Sequence, residues 1–79
     1  MAKVKLIWDF RGPAAKQTAA HHCIHLKEFI AIEKIDGEAI RTEIFSEMYV
    51  CVSMIIPKKD VTFMRMRLKP HRGKRVQES

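Results

Sequence analysis

Cysteine, glycine, proline and aromatic residues are all scarce in this 79-residue chain: two Cys, three Gly, three Pro, one Trp, one Tyr and four Phe. Two cysteines, Cys23 and Cys51, cannot build the multi-bridge framework of a small secreted domain. So few glycines and prolines exclude collagen-like and linker-like compositions. No apolar run approaches the roughly 20 residues of a membrane helix. The start, Met1-Ala2-Lys3-Val4-Lys5, leads into a short apolar run broken at Asp9, which is not a secretory leader pattern. A reducing, cytoplasmic setting without membrane contact is therefore expected. Phosphate-loop, dinucleotide and C-x-x-C motifs are missing as well, and no Ser-His-acid set or catalytic carboxylate pair stands out.

Charge and hydrophobic content are what the chain does have. Apolar residues make up 47%, enough for a core, and the formal net charge is +6. The charge is uneven. Residues 36–47 hold the acids Asp36, Glu38, Glu43 and Glu47 against Arg41, whereas residues 65–75 hold Arg65, Arg67, Lys69, Arg72, Lys74 and Arg75 with no acid. That imbalance favours an anionic ligand or nucleic acid as partner.

Periodicity supplies the elements. In residues 3–10, Val4, Leu6, Trp8 and Phe10 alternate with Lys3, Lys5, Ile7 and Asp9, which predicts a strand. Gly12-Pro13 breaks it, and residues 14–35 predict a helix, with Asp36-Gly37 as its stop, whose core stripe is Ala15, Ala19, Cys23, Leu26 and Ile30. Residues 44–56 read as one long strand. Residues 61–70 read as a returning strand, with Met64, Met66 and Leu68 on one face and Phe63, Arg65, Arg67 and Lys69 on the other. One domain over residues 1–71 with a charged, frayed tail at 72–79 follows.

The expected fold is thus α+β: a single β-α-β-β unit, half of a ferredoxin-like split β-α-β, with strand order 1-3-2 and one helix on one sheet face. Order 1-2-3 is the alternative. The bare face would carry Ile7, Phe45, Tyr49, Cys51, Ile55 and Phe63, more apolar surface than a monomer normally shows. Completion by a homodimer is expected, through stacked faces or joined edge strands.

Three candidate sites emerge. His21 and His25 lie one helical turn apart, a spacing that can grip a metal such as zinc, and Glu28 lies a turn further on; the competing reading is histidine on a solvated surface. His22 is expected on the flank of the core stripe, between core and solvent, with one nitrogen hydrogen-bonded. Asp9 and Arg11, with Lys58 and Lys59 from the turn that leads into the returning strand, form a candidate anion site beside a helix N-terminus, against simple structural pairing. Tyr49, Phe63, Arg65, Arg67 and Lys69 form a candidate platform for RNA or single-stranded DNA, against burial in a dimer. The leading functional reading is a small homodimeric, non-catalytic binding module without a cofactor. The alternatives are metal or acid/base chemistry at His21, His25 and Glu28, and nucleic-acid binding on the basic sheet face.

Overall fold

A computed structural model describes residues 2–76. The chain runs β1 (Lys3–Arg11), α1 (Ala15–Glu33), β2 (Glu38–Ser46), β3 (Tyr49–Pro57), a 3-10 turn (Lys58–Asp60), α2 (Val61–Leu68) and β4 (Arg72–Val76). The fold is α+β. Its four strands form one sheet in the order β2-β3-β1-β4, and every neighbouring pair is antiparallel. Among the described residues no helix is long and apolar enough to cross a membrane.

Strand β1 forms as its alternation predicts. Leu6 and Trp8 are buried against the helices, with Val4 and Phe10 packed beside them. Helix α1 buries Ala15, Ala19 and Leu26, and its small N-terminal residues bring it close to the sheet. It stops earlier than Gly37, because Lys34 adopts a left-handed conformation and donates its N–H to Ile30 O. Gly37 is instead a point of close approach, since a Cβ there would lie 2.9 Å from Met54 Sδ.

The expected long strand over residues 44–56 is corrected to a hairpin. The chain reverses at Glu47-Met48, where the Met48 N–H is accepted by Ser46 Oγ at 3.1 Å. The turn is also tied to the end of β1, because the Gly12 N–H donates to Met48 O at 2.8 Å. Without a Gly or Asn in the turn, nothing local announces it. Gly12 has φ +110, a conformation that strains any L side chain. Gly12→Ala is therefore expected to cost about 1–2 kcal/mol in urea unfolding, although the space around it is open.

The expected strand over residues 61–70 is also corrected. Residues 61–68 form α2, whose Val61, Met64 and Leu68 pack on the core at helical spacing while Met66 is 73% exposed. Lys69, again left-handed, ends it ahead of Pro70. Residues 72–76, expected in a frayed tail, form β4 on the free edge of β1, and residues 77–79 lie outside the described residues. One chain thus carries two helices and four strands instead of a three-stranded half-unit. The core lies between the helices and one sheet face, made by Leu6, Trp8, Leu26, Val50, Val52, Met54, Ile56 and Met64.

A candidate binding surface on the uncovered sheet face

The face opposite the helices is built by register. Across β1 and β3, Asp9 stands opposite Cys51 and Arg11 opposite Tyr49. Across β1 and β4, Lys5 stands opposite Lys74 and Ile7 opposite Arg72. Glu43 of β2 stands opposite Cys51. Residues directly opposite share a face, so these side chains project together.

At the centre is the Asp9 carboxylate. Its Oδ1 accepts from Tyr49 Oη at 2.8 Å, Cys51 Sγ at 2.9 Å and Arg72 Nη2 at 2.9 Å, and its Oδ2 accepts from Arg72 Nε at 3.1 Å. Arg72 therefore grips the carboxylate with two nitrogens. The backbone N–H of Asp9 donates to His71 Nδ1 at 2.7 Å, and the His71 N–H donates to Ile7 O at 2.9 Å. Together they fasten the start of β4 to β1.

These bonds fix the protonation states. The Cys51 thiol, then Tyr49 and Arg72, hold the Asp9 carboxyl down at about 2 against partial burial. The hydrogen bonds to Cys51 and Asp9 push the Tyr49 hydroxyl up to about 12. Burial, then the Asp9 carboxylate, pushes the Cys51 thiol up, so it is not poised as a thiolate nucleophile. Arg72 is raised by its bond to Asp9 and stays charged. None of the four exchanges a proton near neutral pH, which general acid–base catalysis requires. The cluster is suited to holding charge in place.

Around it lie cations and an aromatic stack. A depression of about 140 Å³ is lined by Lys5, Arg72 and Lys74, with Glu43 and Phe45 as its other wall and Ile7, Cys51 and Ser53 in its floor. Lys5 reaches Glu43 only at 3.9 Å. The Tyr49 ring lies between Arg11, whose guanidinium carbon is 4.1 Å from its centroid, and Phe45, stacked at 5.0 Å. The stack runs from β1 across β3 to β2 and ends on Phe45, which is 58% exposed.

The three candidate sites fare differently. His21 and His25 do meet, Nε2 to Nε2 at 3.1 Å, but among the described residues no three His, Cys, Asp or Glu side chains converge on a metal-sized site, so Glu28 does not complete a triad. His22 is wedged against Trp8 and Phe10, with ring centroids 4.9 and 5.3 Å away. Its Nε2 is buried and lacks the expected hydrogen bond, and burial followed by repulsion from His25 and His71 holds its basicity below the usual imidazole range. Cys23, expected on the core stripe, packs beside the core and touches Thr42 Oγ1 at 3.1 Å.

The anion set is taken apart. Because β3 runs antiparallel to β1, Pro57 pairs with Lys3 and the Lys58 N–H donates to Ala2 O, at the far end of the sheet from Asp9 and Arg11. The nucleic-acid set is divided too. Tyr49 is on the uncovered face, whereas Phe63, Arg65, Arg67 and Lys69 belong to α2 and its cap. There Phe63 stacks on Phe29 at 6.0 Å with Arg67 over its ring, and Arg65 lines a groove of about 320 Å³ between α2 and β4.

The surface that results includes Cys51 as a hydrogen-bond donor, together with Arg72, Lys74 and Phe45, none of them among the residues singled out for a site. Alternation within R-G-K-R-V was the available signal, placing Arg72 and Lys74 on one face once the segment is a strand. Compared with known proteins, the chain matches no family model, no curated sequence and no solved structure.

Proposed function

We propose that this protein is a non-catalytic binding module whose uncovered sheet face takes an anionic ligand, with single-stranded nucleic acid as the ligand class. The observation that carries this reading is the cationic depression beside an exposed aromatic ring. Lys5 and Lys74 stand directly opposite each other next to Arg72, a like-charge arrangement that costs stability until an anion enters. Phe45 offers the free end of the Arg11–Tyr49–Phe45 stack to a base, while the lysines take phosphates. The ionised, fully engaged Asp9 serves to hold Arg72 and Tyr49 in position. The β-α-β-β-α-β connectivity, with order β2-β3-β1-β4, supports a complete ferredoxin-like unit within one chain as the scaffold for this platform.

The test is fluorescence anisotropy with a labelled oligouridine at several salt concentrations. Binding is expected to weaken steeply with salt. Phe45→Ala should reduce affinity roughly 5-fold to 100-fold, the worth of one stacked base. Lys5→Ala combined with Lys74→Ala should flatten the logarithmic salt slope by about 1.4, since each phosphate contact on a single strand contributes about 0.7. No binding at low salt, or binding indifferent to all three substitutions, overturns the reading.

A further inference from the structure

We propose that two copies of this chain associate by antiparallel pairing of β2 with β2, about a two-fold axis at Thr42. Strand order places β2 and β4 at the two edges. Each edge leaves a row of backbone N–H and C=O groups without a neighbouring strand among the described residues. Strand β4 is poorly suited to self-pairing, because it is five residues long and carries Arg72, Lys74 and Arg75. Like charges would meet across the ladder there. Strand β2 is nine residues long and exposed throughout except at Ile40.

The sequence of β2 is complementary to itself. Arg41 and Glu43 stand opposite Ser53 and Cys51 on the uncovered face, whereas Thr42 and Ile44 stand opposite Val52 and Val50 on the helix side. Residues paired directly must share a face, so the two-fold passes through a residue and not between two. An axis at Thr42 sets Arg41 of each copy against Glu43 of the other, Ile40 against Ile44, and Thr42 against itself. Moving the axis by one residue brings Glu43 onto Glu43, or Arg41 onto Arg41. Only the Thr42 register opposes unlike charges, and Arg41 has no carboxylate partner among the described residues of its own chain.

Packing favours the same contact. Ile44 is 60% exposed and Ile24 is 55% exposed. Cys23, the neighbour of Ile24, touches Thr42, which places that flank of α1 over β2. Pairing at Thr42 covers Ile44 with Ile40 of the partner and brings the two α1 flanks towards each other. The irregularities of β2 between Glu38 and Arg41, and between Ile44 and Ser46, limit the regular ladder to its middle. An isologous contact closes on itself, so the product is a dimer and not a fibre.

Sedimentation velocity between about 5 and 500 µM tests the proposal, a range that reaches the weak associations typical of small interfaces. The wild type should approach twice its 9.2 kDa mass. Arg41→Glu and Glu43→Arg should each weaken association roughly tenfold or more, because each sets like charges opposite one another twice per interface. The double variant, with the charges exchanged, should recover wild-type association. A wild type that stays monomeric over the whole range, or single variants that dimerise as tightly as it does, overturns the proposal. Oligouridine is absent from these runs, so dimerisation and the ligand face stand or fall separately.

Discussion

Trp8→Ala is expected to lower the unfolding free energy by about 3–5 kcal/mol, the range for truncating a large buried aromatic. At about 0.05–0.15 kcal/mol per residue, a chain of this size has only about 4–12 kcal/mol to lose. Trp8 is 3% exposed and touches three elements. It stands on β1, its ring lies 4.9 Å from that of His22 on α1, and its indole N–H donates to Leu68 O at 2.9 Å. The Leu68 carbonyl belongs to the last turn of α2, where helix carbonyls have no partner within the helix. The indole therefore fills the space between sheet and helices and also caps α2.

Trp8→Phe separates the two roles. It keeps most of the apolar volume and removes the donor, so about 1–2 kcal/mol is expected from the stranded carbonyl and the residual void. Urea unfolding followed by far-ultraviolet circular dichroism measures both variants. A loss below about 1 kcal/mol for Trp8→Ala would mean that the indole does not couple α2 to the sheet.

What could be read directly from the residues divides along physical lines. β1 and α1 each turn one face into the core, so Val4, Leu6, Trp8 and Phe10 mark period two and Ala15, Ala19 and Leu26 mark the helix. Residues 61–68 satisfy both templates. Met64, Met66 and Leu68 alternate as in a strand, while Val61, Met64 and Leu68 recur as in a helix, and only the three-dimensional core decides that Met66 stays outside. β4 has almost no apolar residue to reveal a buried face, because it is an edge strand that sets Gly73 opposite Leu6 and Arg75 opposite Val4.

The candidate surface was hidden for the same reason. Asp9 was visible as a charged residue ending a strand, but its partners come from β3 and β4, 40 or more positions away in the chain. Which partners it meets depends on strand direction. A parallel strand over residues 44–56, ending beside Asp9, would have brought Lys58 and Lys59 to it, whereas the antiparallel β3 brings Tyr49 and Cys51. The apolar character expected for that face changes with it. Phe63 leaves for α2, and Ile7 and Cys51, though on the side away from the helices, are 6% and 5% exposed. Long polar side chains line the depression above them. Stacking two such faces would bury cations against cations, which leaves the β2 edge as the better route to association.

Asp9→Asn is expected to lower stability by about 1–3 kcal/mol at neutral pH, the range for hydrogen bonds made to a charged group. The amide keeps one acceptor oxygen, but it loses the charge that Arg72 grips with two nitrogens. The effect should concentrate at β4, where hydrogen exchange of the Arg72 and Lys74 amides, which face β1 opposite Ile7 and Lys5, is expected to accelerate more than that of β3 amides such as Val52. The pH dependence gives a second signature. The Asp9 carboxyl titrates at about 2 in the folded chain against 3.8 for its unperturbed value. The folded state therefore holds fewer protons than the unfolded state between these values, and stability rises with pH across them. The Asp9 contribution is complete above the unfolded value and disappears as pH falls through the folded one. Denaturation profiles of wild type and Asp9→Asn should accordingly diverge from about pH 2 up to about pH 4 and run parallel above it. Profiles that stay parallel through that window would show that Asp9 carries no depressed carboxyl, and that Arg72 is held to the sheet by other means.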